Sequence, residues 1–171
     1  MDTRTKYFIH RNHFWFIAAI IVTALVLAVV LYRRNEDWRV LLPVIGGAVS
    51  LIYIIERQFL EEARLFKELF VDFNRRYNRL NKDLNRIRNA DIKLALERKD
   101  IDILYDYFNL CGEEFLFYKK GYVYPEVWKS WILGMKIFFD NNRIRAIWVH
   151  ELQTDSYYGL DLQRELLKLR R

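Results

Sequence analysis

The chain has 171 residues, a formal net charge of +6 and a single cysteine, and 53% of its residues are hydrophobic. A single cysteine excludes an internal disulfide framework and a cysteine-based zinc cage. The three histidines, His10, His13 and His150, do not cluster as metal ligands do, so we expect neither a metal nor another cofactor. The modest positive charge fits attraction to anionic lipid headgroups as readily as to a nucleic acid.

Residues 14–32 form an apolar run that carries no charge. At about 1.5 Å per residue, a helix of this length crosses a hydrocarbon core of about 30 Å. The run ends in Leu31-Tyr32-Arg33-Arg34, whereas a signal peptide ends in small residues at its cleavage site. The pattern predicts an uncleaved membrane span.

A second uncharged run covers residues 40–55 and is shorter than the usual span. Pro43, Gly46 and Gly47 lower its helix propensity, although Pro43 lies near the first turn, where proline is tolerated. We interpret this run as a second span. The alternative is an apolar helix buried inside a soluble domain.

Two spans joined by the short loop 33–39 leave both ends of the chain on one side of the membrane. More Lys and Arg residues flank the outer ends of the spans than occur in the loop, which favours cytoplasmic termini. The predicted divisions are a cytoplasmic N-terminus (1–13), a two-helix transmembrane hairpin (14–55) and a cytoplasmic helical domain (56–171).

From Ile52 onward, apolar residues follow a heptad with alternating steps of three and four. The heptad positions are Ile52, Phe59, Ala63, Phe66, Phe70, Phe73, Tyr77, Leu80, Leu84 and Ile87. No proline or glycine interrupts Glu56 to Arg88, so we expect the second span to continue into a long cytoplasmic helix. This heptad face either packs on the chain's own later helices or joins copies into a homo-oligomer.

The remaining sequence predicts shorter amphipathic helices. Asp100 is expected to cap one that Gly121 ends, and Pro125 to begin the next. Asn142 is expected to open a third, and Asp161 to cap the last.

A turn is predicted at 154–159 and a short extended piece at 121–124. The fold class is therefore expected to be all-α: two N-terminal transmembrane helices, the second continuing into a long amphipathic helix packed with shorter helices.

No catalytic motif is present, so we expect a protein that is not an enzyme. Cys111 falls on an apolar helix face and is expected to be a small buried hydrophobe. Glu113 and Glu114 are the best carboxylate candidates for acid–base chemistry, but adjacent helical residues point about 100° apart. We expect one of them to pair with an arginine of the long helix, with Arg75, Arg76 and Arg79 as the natural partners.

A basic stripe follows the long helix, with Arg75, Arg79, Lys82 and Arg86 at steps of four, three and four. Such a stripe is usually a solvated face, but around an oligomer axis it suits an anionic ligand such as a nucleotide. Lys119 and Lys120, beside several tyrosines, add charge and stacking surface. The predicted ligand-binding residues are Arg75, Arg76, Arg79, Lys82, Lys119 and Lys120.

Three remaining side chains have simpler interpretations. Trp128 and Trp131 lie three residues apart on one helix face and are expected in the core rather than in a base-stacking platform. His150 is expected at the surface or hydrogen-bonded.

Several phrases of the sequence resemble a known group of proteins. They are FNRRYNRLN at 73–81, YFNLCGEE at 107–114, YKKG at 118–121, WKSWILGM at 128–135 and SYYG at 156–159. They are similar to small bacterial membrane proteins with two N-terminal spans and a helical cytoplasmic domain of unknown function. The resemblance implies a multi-pass protein of the bacterial inner membrane and supplies no catalytic residues.

The layout is also similar to membrane effectors of type III CRISPR systems that respond to cyclic oligoadenylate. This likeness rests on architecture and on the basic stripe. It implies a homo-oligomer that contacts membrane lipid and binds a cyclic oligonucleotide in antiviral defence, with no double-stranded nucleic acid as partner. The alternative is a non-enzymatic scaffold that recruits a cytoplasmic protein.

Overall fold

A computed structural model describes residues 3–34, 38–91, 94–153 and 156–169. Within those ranges the chain forms helices and no strand, which confirms the all-α prediction. A single 3₁₀ turn, Trp38–Val40, precedes the second helix. The α-helices are α1 (Thr3–Arg33), α2 (Leu41–Asn89), α3 (Arg98–Lys119), α4 (Pro125–Phe139), α5 (Asn142–Leu152) and α6 (Leu162–Lys168). The chain divides into two compact units, Met1–Leu65 and Phe66–Arg171.

The first unit contains two helices that are long and apolar enough to cross a membrane, Asn12–Arg33 of α1 and the apolar part of α2. Protein covers none of the apolar window of either helix, and Trp15, Leu25 and Tyr53 are all exposed. This exposure does not fit the alternative in which the second run is the buried helix of a soluble domain.

Two hydroxyl groups in this apolar part are bonded within their own helices. Thr23 donates to the carbonyl of Ala19 at 2.8 Å, and Ser50 donates to the carbonyl of Gly46 at 2.7 Å. Because lipid offers no hydrogen-bond partner, such internal bonds allow hydroxyl groups in a membrane-spanning helix.

The long helix is continuous: α2 runs for 49 residues, as the lack of proline and glycine after Glu56 predicted. In the second unit its heptad face is part of the core, where Phe73, Leu84 and Ile87 are buried and Tyr77 and Leu80 pack alongside. The face therefore packs on the chain's own helices, as one alternative proposed. Self-association stays a prediction.

Helix α4 is the centre of the second unit, because it packs against α3, α5 and α6. It begins at Pro125, as predicted, where a missing N–H costs nothing. Its buried residues are Trp128, Ile132, Met135, Phe138 and Phe139. The core prediction is confirmed for Trp128, while Trp131 is half-buried and packs at the edge of the core.

Two predicted helix starts are displaced. Glu97, not Asp100, is the N-cap of α3, and Asp100 is its third residue, accepting a hydrogen bond from the Glu97 backbone at 3.3 Å. Asn141, not Asn142, caps α5 by accepting from the backbone N–H groups of Arg143 and Ile144. The backbones of Glu97 and Asn141 both adopt the extended conformation that an N-cap needs.

Other predicted boundaries agree with the structure. Asp161 caps α6 through the N–H of Arg164. Gly121 follows the end of α3 with a φ of 75°, a left-handed conformation typical of a helix C-terminus. Residues 121–124 form no strand, although the backbone of Tyr124 is extended. Of the turn predicted at 154–159, Thr154 and Asp155 lie outside the described residues; a bend and turn occupy 156–159.

The C-terminal end of α2 is held by side chains from the start of α5. The Arg143 guanidinium donates to the carbonyls of Ile87 at 2.8 Å, Ala90 at 3.0 Å and Leu94 at 2.8 Å. Asn141 donates to the carbonyl of Arg88 at 3.1 Å. A cation at a helix C-terminus satisfies unpaired carbonyls and interacts favourably with the helix dipole.

Replacing Arg143 with alanine is expected to destabilise the protein by about 2 kcal/mol, because three carbonyls lose charged hydrogen bonds. The measurement is urea unfolding of the full chain in detergent micelles, followed by tryptophan fluorescence. Arg164→Ala, which removes a basic side chain exposed on α6, is the matched control. Equal unfolding midpoints for the two variants would contradict this role of Arg143.

Candidate functional site

The ion pair expected between α2 and α3 is present. The two terminal nitrogens of the Arg76 guanidinium, Nη1 and Nη2, donate to the Glu113 carboxylate at 2.5 and 3.0 Å. The hydrogen bond to Glu113 raises the pKa of Arg76, and burial opposes the rise only in part. The prediction that one of the two adjacent glutamates pairs with an arginine of the long helix is confirmed.

The other glutamate, Glu114, is buried, with 7% of its surface exposed. Its carboxyl group receives no hydrogen bond from any residue that the structure describes. Burial raises its pKa to about 8; nearby Glu113 adds to the rise, and Arg76 opposes it. At neutral pH this group is therefore mostly a protonated acid.

Glu114 lines a cavity of about 210 Å³ inside the second unit. Three helices form its walls: α2, α3 and α4. The other lining residues are Asn74 and Tyr77 from α2, Tyr107 from α3, and Ser130, Trp131, Gly134 and Met135 from α4. The cavity thus combines one acid, three aromatic side chains and few other polar groups.

Cys111 lies one turn before Glu114 on α3 and is buried, as predicted. Burial raises the pKa of its thiol well above the usual value, and the nearby Glu114 adds to that rise. Burial also raises the pKa of Tyr107, and the nearby Cys111 and Glu114 add to that rise. A thiol that resists ionisation is a poor nucleophile, so the chemistry of Cys111 is that of a core residue.

Two residues of the predicted basic stripe are paired with carboxylates. Arg75 bonds to Asp72 at 2.5 Å. Arg86 bonds to Asp100 at 2.7 Å, which raises the pKa of its guanidinium. Arg79 and Lys82 are exposed and have no ion-pair partner among the residues that the structure describes. Within the stripe, Arg79 and Lys82 are therefore the two cations that an anionic ligand could pair with.

The amides beside the stripe are also bonded locally. Asn85 donates to the side-chain oxygen of Asn81 at 2.7 Å, and the Tyr77 hydroxyl donates to the same oxygen at 3.3 Å. Asn74 donates to the carbonyl of Phe70 at 2.7 Å. These amides mainly organise α2 itself.

Lys119 and Lys120 lie at the opposite end of the α2–α3 pair from Arg86. Helices α2 and α3 are antiparallel, because Phe73 contacts Phe117 while Arg86 contacts Asp100. Thirteen residues of α2 rise about 20 Å, so the two lysines at the end of α3 lie far from Arg86. Lys119 also lies over the Phe115 ring, at 5.3 Å. The six predicted ligand-binding residues are thus distributed along the α2–α3 helix pair.

The sequence interpretation did not find the Glu114 cavity. It treated the two glutamates as alternatives for one ion pair and assigned Trp131 to the core. One signal was available, because Tyr107, Cys111 and Glu114 recur at steps of four and three on one face of α3. Among the described residues no group of three His, Cys, Asp or Glu could hold a metal ion.

Replacing Glu114 with glutamine is expected to change how stability depends on pH. The unfolded chain releases the Glu114 proton near the ordinary value of 4.5, whereas the folded chain keeps it up to about 8. Between these values the wild-type protein should lose up to about 1.4 kcal/mol of unfolding free energy per pH unit relative to Glu114→Gln. Above pH 8 the difference should stay constant.

The measurement is urea unfolding of the full chain in detergent micelles from pH 5 to pH 9. Glu126→Gln, on the exposed start of α4, should follow the wild-type profile. Parallel profiles for wild type and Glu114→Gln would show that the carboxyl group is not buried as described.

The chain was compared with family models, curated proteins and solved structures, and none of them matches it.

Proposed function

We propose that this chain is a non-enzymatic, membrane-anchored sensor. Its second unit binds a ligand, and α2 transmits the resulting change in helix packing to the membrane. The observation that supports this proposal is the continuity of α2. Its apolar part is uncovered by protein, and its later part contributes Phe73, Leu84 and Ile87 to the core of the second unit. A single helix therefore belongs both to a candidate span and to a packed domain.

A ligand moves such a system only if it binds one arrangement of the helices more tightly than another. Packed cores tend to switch between discrete arrangements rather than deform continuously. A change in how α2 packs on α3 and α4 would rotate or displace the same helix in the membrane.

The proposed location is the bacterial inner membrane, with both spans crossing it and both termini in the cytoplasm. Its support is the distribution of Lys and Arg around the two apolar runs. The apolar exposure of Asn12–Arg33 and of the start of α2 agrees with contact to lipid.

The proposed ligand of the α2 surface is anionic. In its most specific version, the proposal is that this ligand is a nucleotide second messenger used in antiviral defence. Arg79 and Lys82 support it, because both are exposed and have no ion-pair partner in the described part of the chain. In a homo-oligomer, copies of these two side chains around one axis would concentrate positive charge.

A second candidate function is a scaffold that recruits a cytoplasmic protein. A groove of about 550 Å³ between α4 and α6 favours it, since leucines line the groove and Lys129 and Lys136 lie at its edge. Leu133 and Leu167 are exposed there. Stoichiometric recovery of one protein from a lysate, lost on Leu133→Asp and unaffected by nucleotides, would favour this candidate over the sensor.

Membrane anchoring and signal transfer can be tested together with two cysteines. The rings of His13 and Phe59 lie 4.2 Å apart in the first unit, so cysteines at these positions should be joined by a short bifunctional thiol cross-linker in a Cys111→Ala background. The full chain should resist extraction from vesicles by carbonate. A panel of nucleotides is then added one at a time. A nucleotide that binds the protein should change the cross-linking yield at least twofold.

Arg79→Glu combined with Lys82→Glu is the matched control and should remove the nucleotide response without affecting carbonate resistance. Release of the chain by carbonate would contradict the anchor. A yield that no nucleotide alters would contradict the anionic ligand.

A further inference from the structure

Three hydrogen-bond donors in the lining of the cavity beside Glu114 are bonded to other groups of the protein. The Ser130 hydroxyl donates to the carbonyl of Glu126 at 3.1 Å, and the Tyr77 hydroxyl donates to Asn81. The Asn74 amide donates to the Phe70 carbonyl. These donors are directed at the protein, whereas the oxygens of the same groups keep lone pairs. The cavity is therefore rich in acceptors.

When ionised, Glu114 is the strongest of these acceptors, and no residue that the structure describes donates to its carboxyl group. A buried carboxyl group ordinarily has a hydrogen-bond partner, and a buried carboxylate has a cationic one. The nearest cation, Arg76, is held by two hydrogen bonds to Glu113. A cationic donor supplied from outside would complete the site.

The aromatic lining is suited to the same kind of ligand. The rings of Tyr77 and Tyr107 lie 6.4 Å apart, and Trp131 lines the α4 side of the cavity. Aromatic faces attract cations, most strongly where water is excluded. Met135 and the aromatic carbons provide apolar contacts for an alkyl chain.

We propose that this cavity binds a small primary alkylammonium ion, whose N–H groups donate to the Glu114 carboxylate while its alkyl chain packs against Tyr77, Tyr107 and Trp131. An anion would be repelled by the ionised form of Glu114, which is the only charged side chain among the lining residues. A divalent metal ion would find a single negative charge in the lining, and no group of three His, Cys, Asp or Glu side chains occurs in the described part of the chain. This site is separate from the Arg79–Lys82 surface, and the proposal does not depend on the membrane role.

The proposed binding is coupled to one proton. The ammonium ion pairs with the ionised form of Glu114, so the carboxyl proton leaves to solvent when the ligand enters. The other titratable groups near Glu114 are Arg76 and Tyr77 on α2 and Glu113, Cys111 and Tyr107 on α3. The lining residues of α4 do not titrate. Affinity should therefore rise with pH until Glu114 is ionised in the free protein.

The test is isothermal titration calorimetry of the full chain in lipid nanodiscs, with n-butylammonium as the probe. Its neutral counterpart, 1-butanol, has a similar shape and no charge. Affinity for n-butylammonium should rise nearly tenfold per pH unit from pH 6 to pH 7 and level off above pH 8. Affinity for 1-butanol should be at least tenfold lower and should not rise with pH.

Three variants make the result specific. Glu114→Gln should weaken n-butylammonium binding at least tenfold at pH 8. Gly134→Ala should weaken it too: Gly134 lines the cavity, and a methyl group added there meets no atom within 4 Å, so the fold is kept. Glu126→Gln, outside the cavity, should bind as wild type does.

The proposal is overturned if wild type does not bind the probe, if 1-butanol binds equally well, or if Glu114→Gln retains wild-type affinity. These outcomes are independent of carbonate extraction and of the cross-linking yield. Failure of the ammonium site is therefore distinguishable from failure of the sensor.

Discussion

The packing of α4 is the constraint on which the second unit depends. This helix of 15 residues contacts α3, α5 and α6, and it buries five large apolar side chains among them. Because a short isolated helix is marginal in water, α4 owes its stability to these contacts and provides the common surface for its neighbours. Its remaining side, with Ser130, Trp131 and Gly134, closes the cavity beside Glu114. One helix therefore fixes both the core and the candidate site.

Features with local signals could be predicted from the sequence. The start of α4 at Pro125, the end of α3 before Gly121 and the cap at Asp161 each depend on the backbone preference of one residue. The continuity of α2 follows from composition alone. The cap of α5 was displaced by one residue, because Asn141 and Asn142 are chemically the same and only backbone conformation distinguishes them.

Features that require tertiary packing could not be predicted. Spacing along α2 and α3 indicates an arginine–glutamate pair, but it does not say which glutamate points at Arg76 and which is left buried. The cavity exists because α4 brings Trp131 and Gly134 to the α2–α3 pair. The pairing of Arg75 had a local signal, because Asp72 lies three residues before it on the same helix, a spacing that favours an ion pair.

The attachment of α5 to the end of α2 affects how the chain is made. Arg143 bonds to a carbonyl 56 positions earlier in the chain, at Ile87. On a translating ribosome, α2 is fully synthesised long before the side chain that satisfies its last turn has emerged. Until then those carbonyls have water as their hydrogen-bond partner. The last turn of the longest helix is therefore completed only after α3 and α4 have left the exit tunnel.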